Sequence, residues 1–178
     1  MLRPLLTVAA ACDRISRAMG AVTMACVLGM VLLQFALVVL RYAFGMSWIF
    51  LQEGVLYLHA SIFMLGAGYT LWAQGHVRVD IFHARLSRRA QAGVDVAGHL
   101  LFLGPALGML LYWSWPMVRR SWAILEGPIS TGGIPASFLL KSLVPAFCVL
   151  VLVQALAALI RDAARLAGAT VSEVGHGA

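Results

Sequence analysis

The sequence carries little charge. Only 11% of its 178 residues are Asp, Glu, Lys or Arg, while 62% are hydrophobic. A soluble domain of this size has about a quarter charged residues, so an ordinary water-facing surface is excluded and an integral membrane protein is implied. Acids are scarcest, seven against thirteen basic residues. The resulting net charge of +6 raises nucleic acid as a partner. No separate basic domain exists, however, and the Arg residues fall in the gaps between apolar runs. That distribution fits membrane lipids as a partner and no nucleic acid.

Cysteine is sparse as well. Cys26 and Cys148 lie inside apolar runs, Cys12 is near the N-terminus, and no CxxC occurs. These read as small buried apolar side chains rather than disulfide or redox partners. There is no Walker loop, HExxH, GxSxG or dinucleotide fingerprint. No enzymatic activity, catalytic residue, metal ligand set or cofactor is therefore expected. Inverted repeats and charged midplane pairs, the marks of a self-sufficient transporter, are missing too, so no substrate-binding residue is expected in this chain. The apolar stretch Leu5–Ala11 before Cys12 faintly resembles a leader, but a single Arg precedes it and the charged segment Asp13–Arg17 follows. Residues 1–18 read as a cytoplasmic tail with some helix.

What the sequence has in quantity is apolar length. Residues 18–40, 54–77, 96–118 and 142–160 contain no Asp, Glu, Lys or Arg. Each is near or above the roughly 18–20 residues that cross the hydrocarbon as a helix. No strand alternation supports a barrel, so the expected fold is an all-α integral membrane domain over residues 19–160. Its spans are placed at about 19–40, 49–73, 96–118 and 139–160, with a cytoplasmic tail over 161–178. Arg3, Arg14, Arg17, Arg78, Arg85, Arg88, Arg89, Arg161 and Arg165 lie on one side of such a topology; Arg41, Arg119, Arg120 and Lys141 lie on the other. The positive-inside rule then predicts both termini and the second loop in the cytoplasm. Trp48, Trp113 and Trp115 at the outer ends and Trp72 at an inner end fit interfacial anchors.

Few polar residues interrupt the spans. Glu53 lies about one turn past Trp48, roughly 7 Å in from the outer end. There it reaches water, pairs with Arg41, faces a partner subunit or another helix, or couples to an ion. His59 falls mid-span, where a haem ligand, a proton carrier and an interhelical hydrogen bond are the alternatives, the last favoured. His99, the one partner to consider for haem, sits about 12 Å away in depth. Gly20, Gly29, Gly66, Ala67 and Gly68 supply small surfaces for close helix approach, although Gly66 and Gly68 cannot share one seam. Pro105 and Pro145 are expected to bend their helices.

The stretch GHVRVDIF, residues 75–82, places His76, Arg78 and Asp80 within five positions at the end of the second span. If the helix continues, His76 and Asp80 stand one turn apart and fix a corner, with Arg78 turned toward headgroups or a partner. Beyond it, Phe82, Leu86 and Ala90 align at i,i+4 while Arg85, Arg88 and Arg89 fall on another face. This pattern predicts a short amphipathic interfacial helix, with Asp80 or Ser87 as its N-cap.

The run WIFLQEGVLYLHASIFMLGAGYTLWAQGHVRVDIF, residues 48–82, resembles the small permease subunits of TRAP (tripartite ATP-independent periplasmic) transporters. Trp48 and Glu53 open the span, a Gly/Ala-rich stretch from Leu65 to Thr70 ends it, and His76 to Asp80 closes it. The segment SWAILEGPISTGGIPASFLLK, residues 121–141, is also similar. The single Gln52-Glu53 departs from the adjacent acids of many members. The resemblance implies a non-catalytic scaffold in the bacterial inner membrane. Its partners would be a large multi-span permease and a periplasmic substrate-binding protein, importing organic acids on a sodium gradient that this chain alone does not bind. A four-helix haem- or quinone-binding redox subunit and a small autonomous exporter are the alternative readings.

Overall fold

Backbone amides have no water to bond in hydrocarbon, so the apolar runs satisfy themselves as helices. In the structure, a computed structural model that describes residues 2–73, 75 and 86–166, these are α1 (Leu2–Phe44), α2 (Ile49–Trp72), α3 (Arg88–Gly98), α4 (Gly104–Ala123) and α5 (Ser137–Leu166). A π-helical turn, His99–Leu103, joins α3 to α4. Among the described residues there is no strand. α1, α2, the α3–α4 rod and α5 are each long and apolar enough to cross a membrane.

The helices outrun their apolar windows. α1 has 43 residues, about 64 Å at 1.5 Å per residue and roughly twice the hydrocarbon thickness. The segment expected as a tail forms the opening turns of this one helix. It packs on α5, where Ala9, Cys12 and Ala157 make a small core. α5 continues past residue 160 to Leu166. Residues 76–85, with most of the expected interfacial helix, lie outside the described residues. From Arg88 onward the chain is no separate surface element. Ser87 caps α3 by accepting the Ala90 amide at 3.3 Å, Ala92 is buried, and α3 lies against α5 before running into the span.

The bend expected at Pro105 takes the form of the π turn. A proline ring collides with the carbonyl four residues earlier and brings no amide. The turn before it is widened, and the Gly104 amide bonds to the His99 carbonyl five residues back. A Cβ on Gly104 would stand 3.2 Å from that oxygen.

Small residues set the seams. Gly66 meets Thr23 and Gly54 meets Leu33, each at 3.1 Å from the position of an added Cβ, and Gly20 lies under the Tyr69 ring. These contacts zip α1 antiparallel to α2. Gly68 faces the Leu150 carbonyl of α5, also at 3.1 Å. The two glycines thus serve two different seams, as their i,i+2 spacing requires. α1, α2 and α5 are in mutual contact, while α4 packs substantially on α5 alone among the other spans. Leu107, Cys148 and Val151 form the α4–α5 core. Nearer the 124–136 loop the two helices part around an apolar cavity of ≈ 710 Å³, lined in part by Trp115, Pro116 and Pro145.

A candidate functional site at Glu53

Two offset hairpins create this site. The turn from α1 to α2 is short. Gly45, at φ 67, ends α1 with its amide on the Arg41 carbonyl and the Met46 amide on the Leu40 carbonyl. Such a left-handed terminus favours glycine. The connection from α4 to α5 is longer and sits lower, beside the second turn of α2. Leu125, at φ 44, closes α4 while the Glu126 amide reaches the Ser121 carbonyl at 3.0 Å. Gly132, at φ 82, permits a tight turn in which the Gly133 amide bonds to the Ser130 carbonyl at 2.9 Å.

That turn presents two amides to Glu53. Oε1 accepts from the Ser130 amide at 3.0 Å, and Oε2 from the Ile134 amide at 2.7 Å. The carboxylate is only 6% exposed. Gly133 packs over it, and a Cβ there would be 2.2 Å from Oε2. Glu53 is thus neither paired with Arg41 nor open to water. It fastens the 124–136 loop to the flank of α2 by charge-assisted hydrogen bonds, which are about twice as strong as neutral ones.

The loop is held at both ends too. The Glu126 carboxylate accepts from the Lys141 ammonium and, with a smaller effect, from the Ser121 hydroxyl, contacts that lower its pKa below the ordinary 4.5. The Ser137 hydroxyl donates to the Gly127 carbonyl. Trp122 donates its indole N–H to Ser142 at 2.7 Å and stacks edge-on against Phe138.

The other residues singled out from the sequence do not converge on this site. Trp48 occupies the N-cap position of α2 without a side-chain cap. His59 is exposed and its ring stacks on Phe63 at 4.7 Å; no described residue hydrogen-bonds it. His99 bonds through Nδ1 to the Asp95 carbonyl at 2.6 Å. Trp72 lies 5.5 Å from the Tyr69 ring, with the Arg17 guanidinium 5.9 Å from its centroid. Trp113 and Trp115 are exposed, and Arg89 is exposed. His76, Arg78, Asp80 and Arg85 lie outside the described residues, as does the side chain of Arg88. Among the described residues, no three His, Cys, Asp or Glu side chains are grouped to hold a metal.

A second polar cluster escaped the sequence reading. Gln154, 1% exposed, accepts from the Ser16 hydroxyl at 2.8 Å and donates to Asp13 at 3.1 Å. Asp13 also takes two hydrogen bonds from Arg161, at 3.0 and 2.8 Å. The signal was present: Gln154 is the lone amide in a long apolar run. Spans defined by charge alone pass over it.

Residues 30–165 match the family described as tripartite ATP-independent periplasmic transporters, DctQ component. The chain belongs to this family. No curated protein matches it. The DctQ match starts within α1 and reaches the last turn of α5. It takes in Glu53, the loop amides that bind it, Gln154 and Arg161. Asp13 and Ser16 precede it. As a DctQ component, the chain is the small membrane subunit of a three-part transporter.

Proposed function

We propose that this DctQ-type subunit is a non-catalytic scaffold for the large permease of a sodium-driven, binding-protein-dependent importer of organic acids or related solutes. It sits in the bacterial inner membrane with both termini in the cytoplasm. The observation that supports this most is the state of Glu53. An ion-coupling carboxylate has to exchange ligands during a cycle. Glu53 is instead nearly closed off and spent on two backbone amides of its own chain. Broad exposed apolar faces, including Met24 and Phe35 on α1, Phe102 in the π turn and Met109 on α4, offer area to lipid and to a large partner.

Reconstitution tests this. The chain together with a large permease and a periplasmic binding protein is expected to take up an organic acid into liposomes only with an inward sodium gradient. Omission of this chain abolishes uptake. Sodium-driven uptake by the chain alone would overturn the scaffold reading.

A further inference from the structure

A cleft of ≈ 370 Å³ lies between the last turns of α1 and the start of α2. Its polar lining is Gln34, Arg41, Tyr42, Ser47 and Gln52. None of these is acidic. Arg41 makes no ion pair among the described residues, because the nearest acid in the sequence, Glu53, is bound to the loop amides. Gln52 donates to the Ser47 oxygen at 3.1 Å, which leaves the Ser47 hydroxyl hydrogen free to point into the cleft. Guanidinium, phenol and hydroxyl donors converge there with one net positive charge, so the complementary ligand is an oxyanion.

Depth narrows the class further. Gln34 is two helical turns below Arg41, about 10 Å nearer the membrane centre. It is exposed on the surface of an apolar helix, with no described partner. An uncompensated amide at that level is costly in lipid, so its partner comes from outside the chain. Leu37 and Val38 line the cleft between the two levels, and exposed Val31 and Val27 continue the apolar track below. A charged group above, an amide-seeking acceptor below it, and then an apolar track follow the polarity of a phospholipid from phosphate to ester to tail. A protein carboxylate matches only the first of these levels.

We propose that this cleft binds an acidic phospholipid, its phosphate held by Arg41, Tyr42 and Ser47 and its glycerol ester by Gln34. The full chain, reconstituted in nanodiscs of phosphatidylglycerol and phosphatidylcholine in equal amounts, is released into the gas phase and its retained lipids are weighed by native mass spectrometry. Wild type is expected to retain phosphatidylglycerol preferentially. R41Q loses that preference roughly tenfold, as expected for one charge-assisted contact, while R41K keeps most of it. R119Q, a charge lost outside the cleft, leaves it unchanged. Equal retention of the two lipids by wild type, or an undiminished preference in R41Q, overturns the proposal. Displacement of the retained lipid by millimolar inorganic phosphate would make this a free-anion site and overturn it as well. So would an R41Q chain that keeps its lipid preference but no longer copurifies with the large permease, which would make the cleft a protein contact.

Discussion

At the scale of single residues, the loop depends on one carboxylate. Glu53→Ala removes the acceptor shared by the Ser130 and Ile134 amides, and a hydrogen bond to a charged group contributes about 1.5–3 kcal/mol. Thermal unfolding in detergent is expected to show that loss, together with faster proteolysis within residues 124–136. Gly133→Ala drives a methyl into the same carboxylate and is expected to destabilise comparably. The double variant loses less than the two single losses together, because removing the carboxylate removes the collision. Glu126 supplies a pH dependence. Its folded pKa lies below the ordinary 4.5, so its contribution is fully present above that value and is lost as pH falls through the folded pKa. Trp122, bonded to Ser142 beside Lys141, should report this loosening by fluorescence on acidification, and Glu126→Gln should abolish the transition. The sequence showed Glu53 to be rare and near one end of a span. Its partners were hidden, because they are backbone amides 77 and 81 positions away, and every residue but proline carries an amide.

At the scale of elements, termini and turns show where the chain accepts strain. Leu125 holds a left-handed conformation that costs a non-glycine residue roughly 1–2 kcal/mol. Its side chain is 64% exposed, so little packing offsets that cost. Leu125→Gly is expected to raise the unfolding midpoint while leaving the helix content, followed by circular dichroism, unchanged. Helix identity was readable from apolar length, and Ser87, which caps α3, was one of two N-cap candidates beside Asp80. The π turn was not. Pro105 announces a disturbance, but whether a kink, a break or a widened turn results depends on how α4 must lie against α5.

At the scale of the whole molecule, the first and last helices are joined well beyond the end of α2. Arg17 reaches Trp72, the last residue of α2, so the fifteen residues of α1 before it extend about 22 Å further. There Asp13, Ser16, Gln154 and Arg161 connect α1 to α5. A double-mutant cycle on Asp13→Ala and Arg161→Ala is expected to give a coupling of about 1 kcal/mol. The side chains are 18% and 25% exposed, so solvent screens part of a bidentate pair that would otherwise give more. A coupling near zero in unfolding measurements would mean that helix packing alone aligns α1 with α5.

The sequence by itself determined the membrane class and the set of apolar helices, because apolar length and the charges that bound it are local properties. It also carried the family resemblance, through residues 48–82 and 121–141. Tertiary structure alone decided that residues 2–18 continue α1 and dock on α5, that the α4–α5 loop sits a turn lower than the α1–α2 turn, and that Glu53 is closed by that loop while Arg41 remains open at a cleft. Each of these depends on the register between helices far apart in the chain. Register follows from which small residues meet which backbone, as Gly66 meets Thr23 and Gly68 meets Leu150, and an apolar run does not encode that pairing in its composition.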